Sequence, residues 1–151
     1  MPFLTTKKNK TPLGIYIHVP FCRSKCQYCD FYSLTNKDDQ LMEGFLRAIC
    51  AHIKESGQLA PGYRVDTIYF GGGTPSFFGS DGMATILTAI RRYFDVDSAA
   101  EITFEANPDS VSDKLLTRLT LSTPTTSRRQ ASSPYSRADR ECACRSRSVS
   151  P

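Results

Sequence analysis

Three stretches of this chain alternate apolar and polar residues with the period of a strand, and each is followed by a stretch with helical spacing. Gly14 to Val19 is the first strand, with Ile15, Ile17 and Val19 on one face and Tyr16 and His18 on the other. Pro20 ends it. A helix is predicted from Lys37 to Ser56, where Leu41/Met42, Phe45/Leu46, Ile49/Cys50 and Ile53 recur on one side. Asn36 is its expected cap, Asp38, Asp39 and Glu43 favour the positive end of its dipole, and Gly57 is its expected stop. The second strand is Val65 to Phe70, and it runs directly into Gly71-Gly72-Gly73-Thr74-Pro75. A second helix covers Gly82 to Phe94, with Met83, Ile86, Leu87 and Ile90 inward and Arg91 and Arg92 outward. Glu101 to Glu105 is the third strand, closing at Ala106-Asn107-Pro108. A third helix is expected from near Val111, capped by Ser110, with Leu115, Leu116 and Leu119 on its apolar side. The order β-α-β-α-β-α predicts an α/β fold with parallel strands and right-handed helical crossovers. Each candidate motif then lies at the C-terminal end of a strand, where α/β barrels place their active sites.

Composition divides the chain into three segments. Residues 1–13 are polar and read as a flexible lead-in, 14–119 as the folded core, and 120–151 as a disordered basic tail. The formal charge of +4 lies wholly in the tail, because residues 1–119 hold 13 basic and 13 acidic side chains. The tail has eight Ser, four Thr, six Arg and no Lys, and its few apolar residues follow no period. It reads either as a regulatory disordered segment or, more in keeping with a third βα unit that stops in mid-pattern, as a frameshifted or truncated end. Cys142 and Cys144 within it are assigned no role. The neutral core has no electrostatic footprint for nucleic acid. No apolar run is long enough to span a bilayer, and the N-terminus lacks a signal peptide's apolar core. A cytoplasmic location is therefore expected, with free thiols.

Cys22, Cys26 and Cys29 follow the first strand in a C-x3-C-x2-C pattern. Thiolates so close together in one loop can converge on one inorganic centre. A [4Fe-4S] cluster normally takes one cysteine per iron, so three leave one iron open to a small molecule. Zinc, with His18 as fourth ligand, is the competing reading, although the usual paired C-x2-C knuckles are missing. Cys50, on the apolar face of the first helix, reads as a small buried hydrophobe. The glycine run after the second strand lets the backbone approach a ligand closely, or else makes a tight turn. Glu105 and Tyr16, taken alone, are a solvated carboxylate and a strand aromatic.

Taken together, the motifs change these readings. The C-x3-C-x2-C loop with Tyr28 before the third cysteine resembles the cluster loop of the radical S-adenosylmethionine enzymes. Tyr-Ile-His-Val-Pro-Phe-Cys, Cys-Gln-Tyr-Cys-Asp-Phe, Ile-Tyr-Phe-Gly-Gly-Gly-Thr-Pro-Ser and Glu-Ile-Thr-Phe-Glu-Ala-Asn-Pro together resemble the oxygen-independent coproporphyrinogen III oxidase family. The resemblance covers about residues 14–119. It implies the N-terminal half of a partial (β/α)6 radical-SAM barrel, with three of its six βα units. It implies a cluster on Cys22, Cys26 and Cys29, and S-adenosylmethionine contacts at Tyr16, Gly72, Gly73, Thr74 and Glu105, with Tyr28 near the adenine. In that family the open iron chelates the methionine moiety, and one electron releases a 5′-deoxyadenosyl radical. The decarboxylases of the family carry a fourth cysteine two residues after the third. Here that position is Phe31, which makes the chain more similar to the haem-chaperone branch. Members of that branch bind haem and pass it to haem proteins, so haem, a haem-accepting protein and an electron donor are the implied partners. Coproporphyrinogen dehydrogenase and a non-catalytic zinc module remain the alternatives.

Overall fold

The computed structural model describes residues 10–35, 38–107 and 110–121, with side chains as far as Arg118. The cap expected at Asn36, the helix start at Lys37, most of the lead-in, and residues 122–151 with Cys142 and Cys144 lie outside the described residues. Seven elements follow in order: β1 (Thr11–Val19), α1 (Asp39–Leu59), β2 (Tyr63–Gly72), α2 (Pro75–Phe78), α3 (Ser80–Tyr93), β3 (Val96–Phe104) and α4 (Asp113–Leu121). The strands form one sheet in the order β1-β2-β3, and both pairings are parallel. This is the predicted α/β alternation.

Each strand starts earlier than its alternation suggested. The register shifts between Leu13 and Gly14 where β1 meets β2, and between Val65 and Thr67 where β2 meets β3. The unpaired residues fall on β2 at Asp66 and on β3 between Val96 and Glu101, and there they break the two-residue period, so β3 does not read as strand from Val96. In β1 the alternation runs on unbroken through Leu13. Pro12 is tolerated because β1 is an edge strand, where a missing N–H need not cost a ladder bond.

Helix boundaries also moved. Asp38 caps α1, its Oδ1 accepting from the backbone N–H of Gln40 and Leu41 at 2.9 and 3.4 Å. Gly57 does not stop the helix, which continues to Leu59. A Cβ at Gly57 would lie 2.5 Å from the Tyr93 carbonyl oxygen, so this glycine lets α1 approach the end of α3. Ser112, not Ser110, caps α4, its Oγ accepting from Leu115 N–H at 3.2 Å. The short α2 had no periodicity to reveal it. Pro75 sits in its first turn, where a missing N–H is harmless.

The core occupies one face of the sheet. Ile17, Val19, Val65, Ile68 and Phe70 are buried there with Ile53 of α1, Met83, Ile86, Leu87 and Ile90 of α3, and Leu115 of α4. The other face carries Tyr16 and Tyr69, which remain 55% and 40% exposed. The helices therefore leave free the face on which the polar motif residues stand. No helix among the described residues is long and apolar enough to cross a membrane.

Candidate cofactor site at the strand ends

The cysteine loop leaves β1 from a firm anchor. Phe21 is 1% exposed and packs with Phe45 of α1 and Phe78 of α2, at ring-centroid distances of 5.3 and 5.4 Å. The neck is closed by two backbone bonds, Cys22 N–H to Leu34 O at 2.9 Å and Leu34 N–H to Pro20 O at 2.6 Å. Within it Cys22 is buried, Cys26 exposed and Cys29 half-buried, and none is in a disulfide. The Cys29 N–H donates to Cys26 O at 3.1 Å, a tight turn between two of the thiols. Among the described residues, no three His, Cys, Asp or Glu side chains are gathered closely enough to hold a metal ion. The chemistry of the donor set still fits an iron–sulfur cluster, with three thiols in eight residues of one loop. Ser33 Oγ, near the loop's end, is buried without a hydrogen-bond partner, which marks a polar group left available there.

The glycine loop locks onto this neck. Gly73 N–H donates to Val19 O at 2.8 Å and Thr74 N–H to Phe21 O at 2.7 Å. Gly72 has a φ of +108°, a region that disfavours side chains, and a Cβ there would lie 2.6 Å from the His18 ring. A Cβ at Gly73 would lie 2.7 Å from Phe21 O, 2.9 Å from Val19 O and 3.0 Å from Cys22 Sγ. The Thr74 hydroxyl donates to Cys22 Sγ across 3.7 Å. Beyond the glycines, Ser76 is buried and accepts from Asn107 N–H at 3.3 Å, and its Oγ also meets Ser110 Oγ. The loops after β1, β2 and β3 are thus clipped together in series.

Glu105 is the first residue after β3, not the last of the strand, and its N–H continues the ladder to Phe70 O at 2.9 Å. Its Oε1 accepts from the Tyr69 hydroxyl at 2.9 Å. Tyr69 in turn stacks on Tyr16, with centroids 6.0 Å apart. The hydrogen bond to Glu105, then partial burial and the nearby charges, hold the Tyr69 phenol above the usual tyrosine range. Burial and the Glu105 charge raise Tyr16 likewise. The His18 Nε2–H donates to Tyr32 O at 3.0 Å, so a neutral ring leaves Nδ1 to accept from the Tyr16 hydroxyl at 3.4 Å. His18 therefore ties the cysteine loop to the sheet and does not join the thiols.

Three of these roles were not read from the sequence. Tyr69 stood inside a quoted motif with no assignment, although its alternation with Phe70 already put it on the face of Tyr16. His18 was weighed only as a zinc ligand. The Ser76 clip joins residues 31 positions apart, and nothing local announces it. Cys50 is half-buried on α1, and burial pushes its thiol up, as a small hydrophobe's position would.

The Tyr69–Glu105 bond has a testable pH signature. A phenol whose folded pKa is raised contributes stability below its unfolded pKa, and that contribution is lost as pH rises through the folded value. An ultraviolet absorbance titration should therefore show a tyrosine ionising later than about pH 10. Tyr69→Phe should shrink that late component by one tyrosine, leaving the share of Tyr16, whose phenol is raised as well. An unchanged late component would mean that Tyr69 does not donate to Glu105 in solution.

No family model matches the chain. Among curated proteins it is 39% identical over 100 residues to the haem chaperone HemW of Escherichia coli (strain K12), a match covering 66% of this chain and 26% of that protein. HemW of Mycobacterium tuberculosis (strain ATCC 25618 / H37Rv) is also 39% identical, over 101 residues, again covering 66% of this chain and 26% of the relative. Among solved structures, coproporphyrinogen III oxidase (HemN) from Escherichia coli, described as a radical SAM enzyme, superposes with a TM-score of 0.70 at 26% identity. That match covers 75% of this chain and 26% of the other. The chain spans about a quarter of the length of the relatives it matches.

Proposed function

We propose, from the likeness to the HemW haem chaperones and to the radical SAM enzyme HemN, that this chain belongs with the radical S-adenosylmethionine haem chaperones and coproporphyrinogen III oxidase-like proteins and carries their cofactor module. Cys22, Cys26 and Cys29 would hold a [4Fe-4S] cluster, and the loop after β2 would take the amino-acid end of S-adenosylmethionine. When bound, the cluster supplies one electron and an open iron to the sulfonium cofactor. The chain's own groups supply the rest. Gly72 and Gly73 present backbone to the ligand with no side chain in the way. Glu105, aligned by the Tyr69 hydroxyl, offers a carboxylate for an ammonium group, and Tyr16 offers an aromatic surface on the same face.

One observation carries this reading: the three loops are hydrogen-bonded to one another at the same end of a parallel sheet. In the complete setting, the module would serve a haem chaperone that binds haem and hands it to a haem-accepting protein, with an external electron donor. Likeness to the oxidase favours a second reading, oxidative decarboxylation of coproporphyrinogen. Phe31, 60% exposed where the decarboxylases carry a fourth cysteine, argues for the chaperone branch.

Equilibrium dialysis of S-adenosylmethionine against the anaerobically reconstituted chain tests the assignment. Glu105→Gln should weaken binding about tenfold or more, the usual loss when a charge-assisted hydrogen bond is removed. Equal affinity in both chains would remove Glu105 from the site.

A further inference from the structure

Thr74 was expected to contact S-adenosylmethionine, yet its hydroxyl is engaged elsewhere. It donates to Cys22 Sγ at 3.7 Å, while its backbone N–H is held by Phe21 O at 2.7 Å. Cys22 is the buried member of the three thiols and is bonded through its own N–H to Leu34 O. Gly73 lies against the same sulfur, so close that a Cβ there would stand 3.0 Å away. Backbone bonds on both sides therefore hold the main chain from which donor and acceptor project.

We propose that Thr74 is a positioning residue for Cys22 that tunes the metal centre through the ligand sulfur. This rests on the cluster reading given above. A hydrogen bond to a thiolate ligand withdraws electron density from sulfur, which favours the reduced cluster and raises its potential. Because the bond crosses from the loop after β2 to the loop after β1, it also makes the electronics of the centre depend on how the glycine loop is seated. A ligand that moves the glycine loop would thereby alter how readily the cluster accepts its electron.

The test uses the full chain, reconstituted anaerobically with iron and sulfide, in three forms: wild type, Thr74→Ser and Thr74→Val. Iron and sulfide content are measured first, then the midpoint potential by redox titration monitored by EPR. Thr74→Val should bind a cluster whose reduced-to-oxidised ratio at a fixed potential is about fivefold lower, the factor that one neutral hydrogen bond supplies. Thr74→Ser, which keeps the hydroxyl, should match wild type. Equal potentials in all three would overturn the proposal, as would a shift shared by Ser and Val. If Thr74→Val fails to fold, Thr74→Ala makes the same comparison without the branched side chain. A wild-type chain that takes up no sulfide would sink the cluster reading itself, and the proposal with it. That failure is visible before any potential is measured.

Discussion

Replacing Cys22 by alanine is expected to abolish cluster binding, taking iron from about four per chain to below one, with sulfide falling in step. Two thiols remain in the loop, and both are more exposed than the one removed. Neither can supply the third anchor, because the neck bonds at Cys22 and Leu34 hold the loop's start in place. The fold should tolerate the change, since alanine fits wherever cysteine does and Phe21 still anchors the loop in the core. Cys50→Ala is the matched control and should leave iron and sulfide unchanged. Metal and sulfide analysis of the reconstituted chains checks both. The same assay separates the zinc reading, in which the wild-type chain would bind metal but no sulfide.

Gly73→Ala is expected to have the next largest effect, a loss of about 2–3 kcal/mol of stability from overpacking together with reduced cluster retention. The added methyl would meet the carbonyl oxygens of Phe21 and Val19 and the sulfur of Cys22, all within 3.0 Å. Two of the three are backbone, so no side-chain rotation relieves the clash. Relief requires the glycine loop and the cysteine neck to part, which breaks the bonds from Gly73 N–H and Thr74 N–H. Gly62→Ala provides the contrast, because a Cβ there meets nothing within 4 Å, and it should cost less than about 0.5 kcal/mol. Chemical denaturation of the two variants measures the difference. Equal stability would show that the two loops are not in contact in solution.

Much of this site was legible because its parts are local. A cysteine loop directly after an alternating strand, and a glycine run directly after another, are signals a few residues long. Their common location follows from parallel topology: successive β-α units bring every strand's C-terminal end to the same side. Ile17 and Val19 read as buried and Tyr16 and His18 as the opposite face, and the sheet confirms both. What sequence could not show depends on partners far along the chain. Gly57 looked like a helix stop because the Tyr93 carbonyl it accommodates is 36 residues away. Tyr69 and Glu105, equally distant in sequence, meet only because β2 and β3 pair in one particular register. Nothing in the sequence around Thr74 shows that its hydroxyl faces a sulfur. The early start of β3 was hidden by its register shift against β2, which interrupts the alternation on which a strand is recognised.

The central claim is that the three loops form an open-iron site for S-adenosylmethionine. EPR of the reduced, reconstituted chain with and without that cofactor tests it most directly. The account predicts a cluster signal, from a chain holding about four irons, that shifts when S-adenosylmethionine is added. A chain that retains no sulfide, or a cluster signal that the cofactor leaves unchanged, would contradict it.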